Sequence, residues 1–527
     1  MSLDIHKAMG IDGIGPQILK YCSIVIYKLL HHLFSLSISQ HYIPTQWKIH
    51  LITPVFKSGD KTAVTNYRPI SLLCSVSKLL ERLVYNHLID FISSNISSSQ
   101  FGFLPNRSTL QQLLTFLNEI FISNRSGFST EVIYLDFKKA FDSVAHHELL
   151  LKSWNFGITG NVWKWLENYL SNRYQCVSIN GHISSLLPVL SGVPQGSILG
   201  PLLFLIYIND LPSCVSSSLL LLYADDTKCL LPIKSSVDWQ VLQRDLDALT
   251  TWSQNWSLPF NASKCASMSF FASAHSLNSS SQLCINGQPV SSKETLKDLG
   301  VNLTANLDWS KHYECILSKA YRMLNLLRRT FCSDNIYKVK KVLYLTLVRS
   351  RVTYCSPIWR PQLLKDVIVF EKMQRRATKY ILNDFSSNYK NRLMTLQILP
   401  LMMVFEMMDI LFFVSCLKYP SSHFNLLRYV TFTTSSTRSS GCGKLEHYLP
   451  KTNKERHFYF HRLPRLWNSI PVVNINDSLK SIKRKLFLFF WSHFSRHFNP
   501  DIPCSYHFVC PCSSCYGKPV CINYNHL

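Results

Sequence analysis

The chain has 527 residues, 47% of them hydrophobic, which is ample for a large buried core spread over two to four structural units and excludes an intrinsically disordered protein. Lys and Arg number 55 against 31 Asp and Glu, a net charge of +24, and such self-repulsion only costs stability unless a polyanion offsets it. Nucleic acid is the natural candidate, and residues 301–400, with 18 basic and 6 acidic side chains, carry half of the excess.

In chain order, the opening MSLDIHKAMGIDG has neither an apolar core nor a small-residue cleavage site, which argues against a secretory leader. Apolar residues dominate from Ile18 to Ile38, and Val76 to Ile92 shows a helical stripe with Lys78, Glu81 and Arg82 on its other face, so both segments are predicted helices. Between them His50 to Lys57 reads as a strand, closed by a turn at Ser58, Gly59 and Asp60. Ser108 is placed to cap an amphipathic run reaching Ser123. Glu131 to Leu135 is β-like, Gly160 to Asn172 helical, and Tyr174 to Asn180 followed by Gly181 suggests a hairpin, so the sheet here is expected to be mixed or antiparallel. Leu219 to Tyr223 and Thr227 to Leu231 are two apolar arms around Ala224, Asp225 and Asp226, a hairpin with carboxylates at its tip. Helical periodicity returns from Val237 to Trp256 and dominates from about Trp309 to residue 420. Within it, Leu396 to Leu417 is strongly apolar but interrupted by Pro400, Glu406 and Asp409, which fits a buried helix better than a membrane span. Residues 431–443, rich in Ser, Thr and Gly, read as a linker.

Twelve of the 17 cysteines are scattered, mostly through apolar segments, as at Cys22, Cys74, Cys176 and Cys229, and read as reduced core residues of an intracellular protein. The tail is different, with Cys504, His507, Cys510, Cys512, Cys515 and Cys521. Four thiolates, such as Cys510, Cys512, Cys515 and Cys521, or three with an imidazole, could close a tetrahedral zinc site, and Cys512-Ser-Ser-Cys515 has the spacing such sites use. No second clean Cys-x-x-Cys pair accompanies it, so a tail without metal is the competing reading.

The carboxylates carry the chemistry. Phosphoryl transfer to a 3′-hydroxyl is done mainly by two cations about 3.5–4 Å apart, which activate the attacking oxygen and neutralise the leaving pyrophosphate. Magnesium in such a site is usually held by one or two protein carboxylates, with water and substrate phosphates completing the shell. An Asp ending one strand, Asp136, and an Asp pair at a hairpin tip, Asp225 and Asp226, would meet that need. Either element alone is ordinary strand-end or turn chemistry.

Their surroundings resemble a known family. Tyr223-Ala-Asp-Asp226 between apolar arms resembles the signature box of reverse transcriptases, and Asp136-Phe-Lys-Lys-Ala-Phe-Asp142 resembles their first catalytic box. Ser191-Gly-Val-Pro-Gln-Gly-Ser-Ile-Leu-Gly-Pro201 is similar to the box beneath the nascent base pair. Upstream, Asn66-Tyr-Arg-Pro-Ile-Ser-Leu-Leu73 and Gln100-Phe-Gly-Phe-Leu-Pro-Asn-Arg-Ser-Thr109 resemble fingers motifs of non-LTR retrotransposon polymerases. Five matches in the right order make coincidence improbable. Asn261-Ala-Ser-Lys264 and Leu296-Lys-Asp-Leu-Gly300 are similar to two further boxes, and Leu345 to Trp359, Lys372 to Thr378 and His461 to Pro471 resemble the region after the palm in jockey-like elements. The likeness covers roughly residues 7 to 490.

This resemblance implies an α+β right-hand polymerase: fingers in residues 1–125, palm in 126–305, a helical basic thumb in 306–430, an extension in 431–500 and a Cys/His-rich tail in 501–527. It implies an RNA-directed DNA polymerase that extends a DNA primer on an RNA template with dNTPs, with Mg2+, or Mn2+ in its place, on Asp136, Asp225 and Asp226. Lys57 and Arg68 would contact the incoming triphosphate, Phe141 would exclude the ribose 2′-hydroxyl, Gln195 and Gly196 would lie close to the nucleotide, and Lys264 would protonate the departing pyrophosphate. Asp142 is expected to be structural. The competing functions are a catalytically inactive nucleic-acid-binding derivative, and a group II intron maturase or an RNA-copying RNA polymerase, the last of which usually has Gly where Ala224 stands. Relatives usually carry an endonuclease ahead of the polymerase, whereas Lys7 to Gly13 already resembles polymerase sequence; a fragment of a mobile element's second reading frame, nuclear and cytoplasmic, is the resulting expectation.

Overall fold

The computed structural model describes residues 4–270, 282–332, 337–420, 424–433, 443–448, 450, 452–471 and 473–509. The helices are α1 (Pro16–Tyr21), α2 (Ser23–Ser39), α3 (Ser75–Ile92), α4 (Thr109–Arg125), α5 (His146–Asn155), α6 (Gly160–Leu170), α7 (Gly200–Ile208), α8 (Val237–Asn255), α9 (Ser310–Thr330), α10 (Tyr337–Leu343), α11 (Ser350–Thr353), α12 (Ser356–Trp359), α13 (Leu364–Leu382), α14 (Tyr389–Leu396), α15 (Leu401–Lys418), α16 (Asn453–Arg456), α17 (Tyr459–Asn468) and α18 (Leu479–His497). The strands are β1 (Ile49–Phe56), β2 (Tyr67–Leu72), β3 (Ser129–Leu135), β4 (Arg173–Ile179), β5 (His182–Ile183), β6 (Leu187–Val189), β7 (Leu219–Tyr223), β8 (Asp226–Ile233), β9 (Ala266–Phe270), β10 (Cys284–Ile285), β11 (Gln288–Pro289), β12 (Ser291–Ser292), β13 (Thr295–Asp298) and β14 (Val301–Thr304). The class is α+β, as expected.

The chain packs as two units that interleave in sequence. One takes in residues 4–105, 131–267 and 282–292; the other takes in 106–130, 268–270 and the described residues from 293 onward. The linear division placed α4 with the residues before it, but α4 packs with α12 in the second unit. Its start was legible: Ser108 Oγ accepts from Gln111 N, and Gln111 Oε1 accepts from Ser108 N at 2.9 Å, a reciprocal cap.

In the first unit, β2, β1, β4 and β5 form one sheet with β6 on β4, and β1 runs antiparallel to β2 but parallel to β4. The second sheet has the order β12-β9-β3-β8-β7; its β7–β8 pair is antiparallel and its β12–β9 pair parallel, so the sheet is mixed. α7, which packs against α5, is buried at every position except Pro201 because its sequence is apolar all round. Two expectations need correcting. The helix foreseen from Ile18 to Ile38 is broken at Cys22, whose ψ of 7° leaves the helical range. Glu81, assigned to the outer face of α3, is instead buried, for a reason that emerges at the site.

In the second unit, Trp359 and Phe370 stack with their rings 5.8 Å apart, and Tyr313 and Phe405 each meet both of them edge-on. The apolar stretch around α15 is a core helix: Asp409, fully buried, takes Arg360 Nη1 at 3.0 Å and Arg462 Nε at 2.9 Å. Among the described residues no single helix is long and apolar enough to cross a membrane, though the bent pair α14 and α15 is so in combined length and composition. The 12 described cysteines are all free thiols. Most of the foreseen linker at 431–443 lies outside the described residues.

Candidate active site

The acidic hairpin forms where expected. β7 and β8 pair Leu222 with Thr227 and Tyr223 with Asp226, leaving Ala224 and Asp225 as a two-residue loop. Such a tight return requires a left-handed residue, and Ala224 supplies it with φ +57°. The segment before Gly102 runs alongside: Phe101 N donates to Leu222 O and Leu222 N to Ser99 O, each at 2.8 Å. β7, the last strand of its sheet, is thereby paired on its outer edge as well.

Asp136 follows directly on β3, the neighbour of β8. Its backbone is fixed by Asn261 N, which donates to Asp136 O at 2.7 Å, and by Asp136 N, which points at Cys265 Sγ at 3.5 Å. Next to it Phe137 pairs with Phe260, their rings stacked at 4.6 Å. The box around Asn261 thus holds the strand end that carries Asp136, and it brings Lys264 Nζ to 3.8 Å from Asp136 Oδ2. That oxygen is buried and has no hydrogen-bond partner.

Asp136 and Asp225 lie within each other's field. Burial pushes the Asp225 carboxyl above the usual range, the negative charge of Asp136 pushes it further, and Lys57 and Arg68 pull it back. Lys57 follows β1 and Arg68 lies opposite Val55 in β2, both exposed, so the antiparallel pairing brings the two cations within two residues of each other across the sheet. Asp226 is exposed at the start of β8. Among the described residues no three His, Cys, Asp or Glu side chains stand together as a ready metal cage. A divalent cation nevertheless fits here: a buried carboxylate oxygen without a donor, beside a second carboxylate whose charge is disfavoured, is an arrangement that such an ion relieves. Asp136 and Asp225 are the residues that would hold it.

The 191–201 loop is clasped from several sides. Gly192, at φ +88°, leaves no room for a Cβ, which would stand 2.8 Å from the Asp142 backbone; Gly196, at φ +127°, would place one 2.4 Å from Ser71 O. The close approaches these two glycines permit are therefore to protein backbone. Gln195 donates through Nε2 to Asp142 Oδ1 at 2.8 Å, and its carbonyl accepts from Ser71 N at 2.8 Å. Asp142 thus has a structural partner. Glu81 explains its burial here: one carboxylate oxygen accepts from Ile198 N at 2.7 Å and from Leu199 N at 3.3 Å, at the entrance to α7. Spacing along α3 carried no sign of this; an acidic residue on a helix face usually meets solvent. Phe141 lies flat on Phe204 at 4.5 Å and edge-on to Phe103 at 6.0 Å, half-buried rather than enclosed.

The box at Leu296 to Gly300 lies in the β13–β14 hairpin, which turns through Leu299 and Gly300 with positive φ at both. Of the tail candidates, Cys510, Cys512, Cys515 and Cys521 lie outside the described residues. His507 is described, with Nδ1 3.4 Å from the buried carboxylate of Glu406.

Comparison with known proteins bears on this geometry. Residues 57–303 match the family model described as reverse transcriptase (RNA-dependent DNA polymerase). The chain is 31% identical to the RNA-directed DNA polymerase from mobile element jockey of Drosophila melanogaster, over 64% of this chain and 38% of that protein. It is 28% identical to the probable RNA-directed DNA polymerase from transposon BS of the same species, over 72% and 43% of the two, and 29% identical to that from transposon X-element, over 64% and 38%. The chain therefore spans less than half the length of these relatives. Every residue of the carboxylate site falls inside the matched segment, and the family model together with these relatives supports a reverse transcriptase domain like those of jockey-like non-LTR retrotransposons.

Proposed function

We propose that this chain extends a DNA primer on an RNA template with deoxynucleoside triphosphates. The observation that supports the reading is that the charge of Asp136, one of whose oxygens is buried without a donor, acts on Asp225, which burial also disfavours in its charged form. Bound there, magnesium ions (or manganese) would offset the negative charge that builds on the primer 3′-oxygen and on the departing pyrophosphate. Asp136 and Asp225 supply hard oxygen ligands from two neighbouring strands, and Asp226 is the third carboxylate in reach of the same tip. Lys57 and Arg68 extend the positive field to the side from which a triphosphate is drawn in. Lys264, beside Asp136, delivers a proton to the leaving group. Phe141 limits the space at the sugar 2′ position, and the loop holding Gln195 and Gly196 supports the base pair being formed. Residues 1–125, 126–305 and 306–430 serve as fingers, palm and thumb, the last gripping phosphates through its excess of Lys and Arg.

The test is primer extension on a primed homopolymeric RNA in the presence of magnesium, with dNTPs and NTPs offered separately. Incorporation of dNTPs that is lost in the double variant Asp225→Ala, Asp226→Ala is the expected result. Preference for NTPs, or incorporation that survives the double variant, overturns the reading.

A further inference from the structure

The acidic tip is gripped by a side chain from outside its own hairpin. Gln100 is 3% exposed, and its carboxamide holds Ala224 through both its backbone N–H and its carbonyl, the latter in the peptide that leads to Asp225. Oε1 accepts from Ala224 N at 2.8 Å, and Nε2 donates to Ala224 O at 3.4 Å. The same Oε1 accepts from Gly102 N at 2.8 Å, so the amide is tied to its own segment and to the tip at once. Gly102 completes the fit, because a Cβ there would stand 2.3 Å from Ala224 N. Ala224 is the residue that needs holding. It is non-glycine, left-handed and 4% exposed, so its backbone is both strained and cut off from water. Asp225 is the next residue, and its direction is set by that peptide.

We propose that Gln100 is a positioning residue for polymerisation: its carboxamide replaces the hydrogen bonds of a neighbouring strand at a loop too tight to be part of one, and so fixes the aim of Asp225 toward Asp136. This rests on the polymerase reading for its consequence, and on contacts within one unit for its cause. Gln100 touches no substrate and acts only through Ala224. Displacement of a carboxylate by an ångström or less is enough to reduce turnover by roughly 10- to 100-fold, while nucleotide binding through Lys57 and Arg68 is left alone.

The variant that isolates the effect is Gln100→Met, close to isosteric but unable to make any of the three bonds. Two measurements on the full chain are needed. The first is amide exchange by mass spectrometry on peptides spanning 219–231; the expected result is faster exchange at the tip, where Ala224 N loses its acceptor, with the rest of the chain unchanged. The second is steady-state dNTP incorporation; the expected result is a kcat lowered about tenfold or more with KM for dNTP within about twofold. Exchange at the tip equal to wild type, exchange raised across the whole chain together with a fall in unfolding temperature, or kcat within twofold of wild type each overturns the assignment. Wild-type protein that incorporates no dNTP overturns the polymerase reading instead, and tip exchange then decides the grip of Gln100 by itself.

Discussion

Lys264 Nζ stands 3.8 Å from Asp136 Oδ2, with neither side chain enclosed: 62% of the lysine and 42% of the aspartate side chain remain exposed. An ion pair this open contributes about 0–1 kcal/mol to folding, so its value lies elsewhere. Replacing Lys264 by Met is expected to leave the denaturant midpoint of the chain nearly unchanged while lowering dNTP incorporation by roughly 100-fold, the scale of a lost general acid. Parallel denaturation and turnover measurements check this. A matched loss of stability and activity would make Lys264 a structural partner of Asp136 and nothing more.

Asp225 makes the opposite prediction for stability. Its folded carboxyl sits above the usual range through burial and the charge of Asp136. The folded state therefore holds its proton to higher pH than the unfolded chain does, and stability falls as pH rises from the ordinary aspartate value of about 3.9 through the raised folded value. Above that window the ionised group is a standing cost. Asp225→Asn is expected to abolish dNTP incorporation and, above the window, to be at least as stable as wild type, the difference shrinking as pH falls toward 4. Unfolding curves of both proteins across pH 4–8 give the sign; a variant that is less stable throughout would mean that the carboxylate is held by favourable contacts instead.

Much of this site was readable because its parts are local. An apolar arm, a short acidic tip and a second apolar arm are enough to specify β7 and β8, and Ser108 with Gln111 three residues on is enough to specify the start of α4. The association of Asp136 with the tip was foreseen only through the family resemblance, since nothing along the chain says that β3 lies beside β8. What remained hidden was set by long-range pairing. Glu81 lies 117 residues from Ile198, and Gln100 lies 124 residues from Ala224. A polar residue among apolar ones gives the same pattern whether it faces water or caps a distant backbone. The resemblance put Gly196 close to the nucleotide, but that its backbone also lies against Ser71, and that of Gly192 against Asp142, is again set by pairing between distant segments.

Phe141 distinguishes packing from selectivity. Its ring contacts Phe204 and Phe103, pairs that contribute about 0.5–1.5 kcal/mol each, and it is only half-buried, which leaves part of the ring to face a substrate. Phe141→Val is expected to cost modest stability and to lower the preference for dNTP over NTP, expressed as the ratio of kcat/KM values, by about tenfold or more. An unchanged ratio in a folded variant would assign the ring to the core alone.

Asp409 tests the interior of the second unit independently of the chemistry. It is fully buried on α15, and its two oxygens take Arg360 Nη1 and Arg462 Nε and Nη2 within 3.0 Å, while Tyr459 donates to its carbonyl at 2.9 Å. Helices from three separate stretches of sequence therefore meet at one carboxylate. Removing its charge leaves two guanidinium groups in an apolar interior, a situation that costs about 3–5 kcal/mol. Asp409→Asn is expected to lower the unfolding transition by that amount or to deplete soluble protein, although the side chain is nearly identical in shape. A cleaner measurement adds Arg360→Met to the same chain: with one cation gone along with the anion, part of the lost stability should return. If the double variant is as unstable as the sum of the two single ones, the three side chains do not act as a unit, and the packing of α15 rests on its apolar neighbours rather than on this charge.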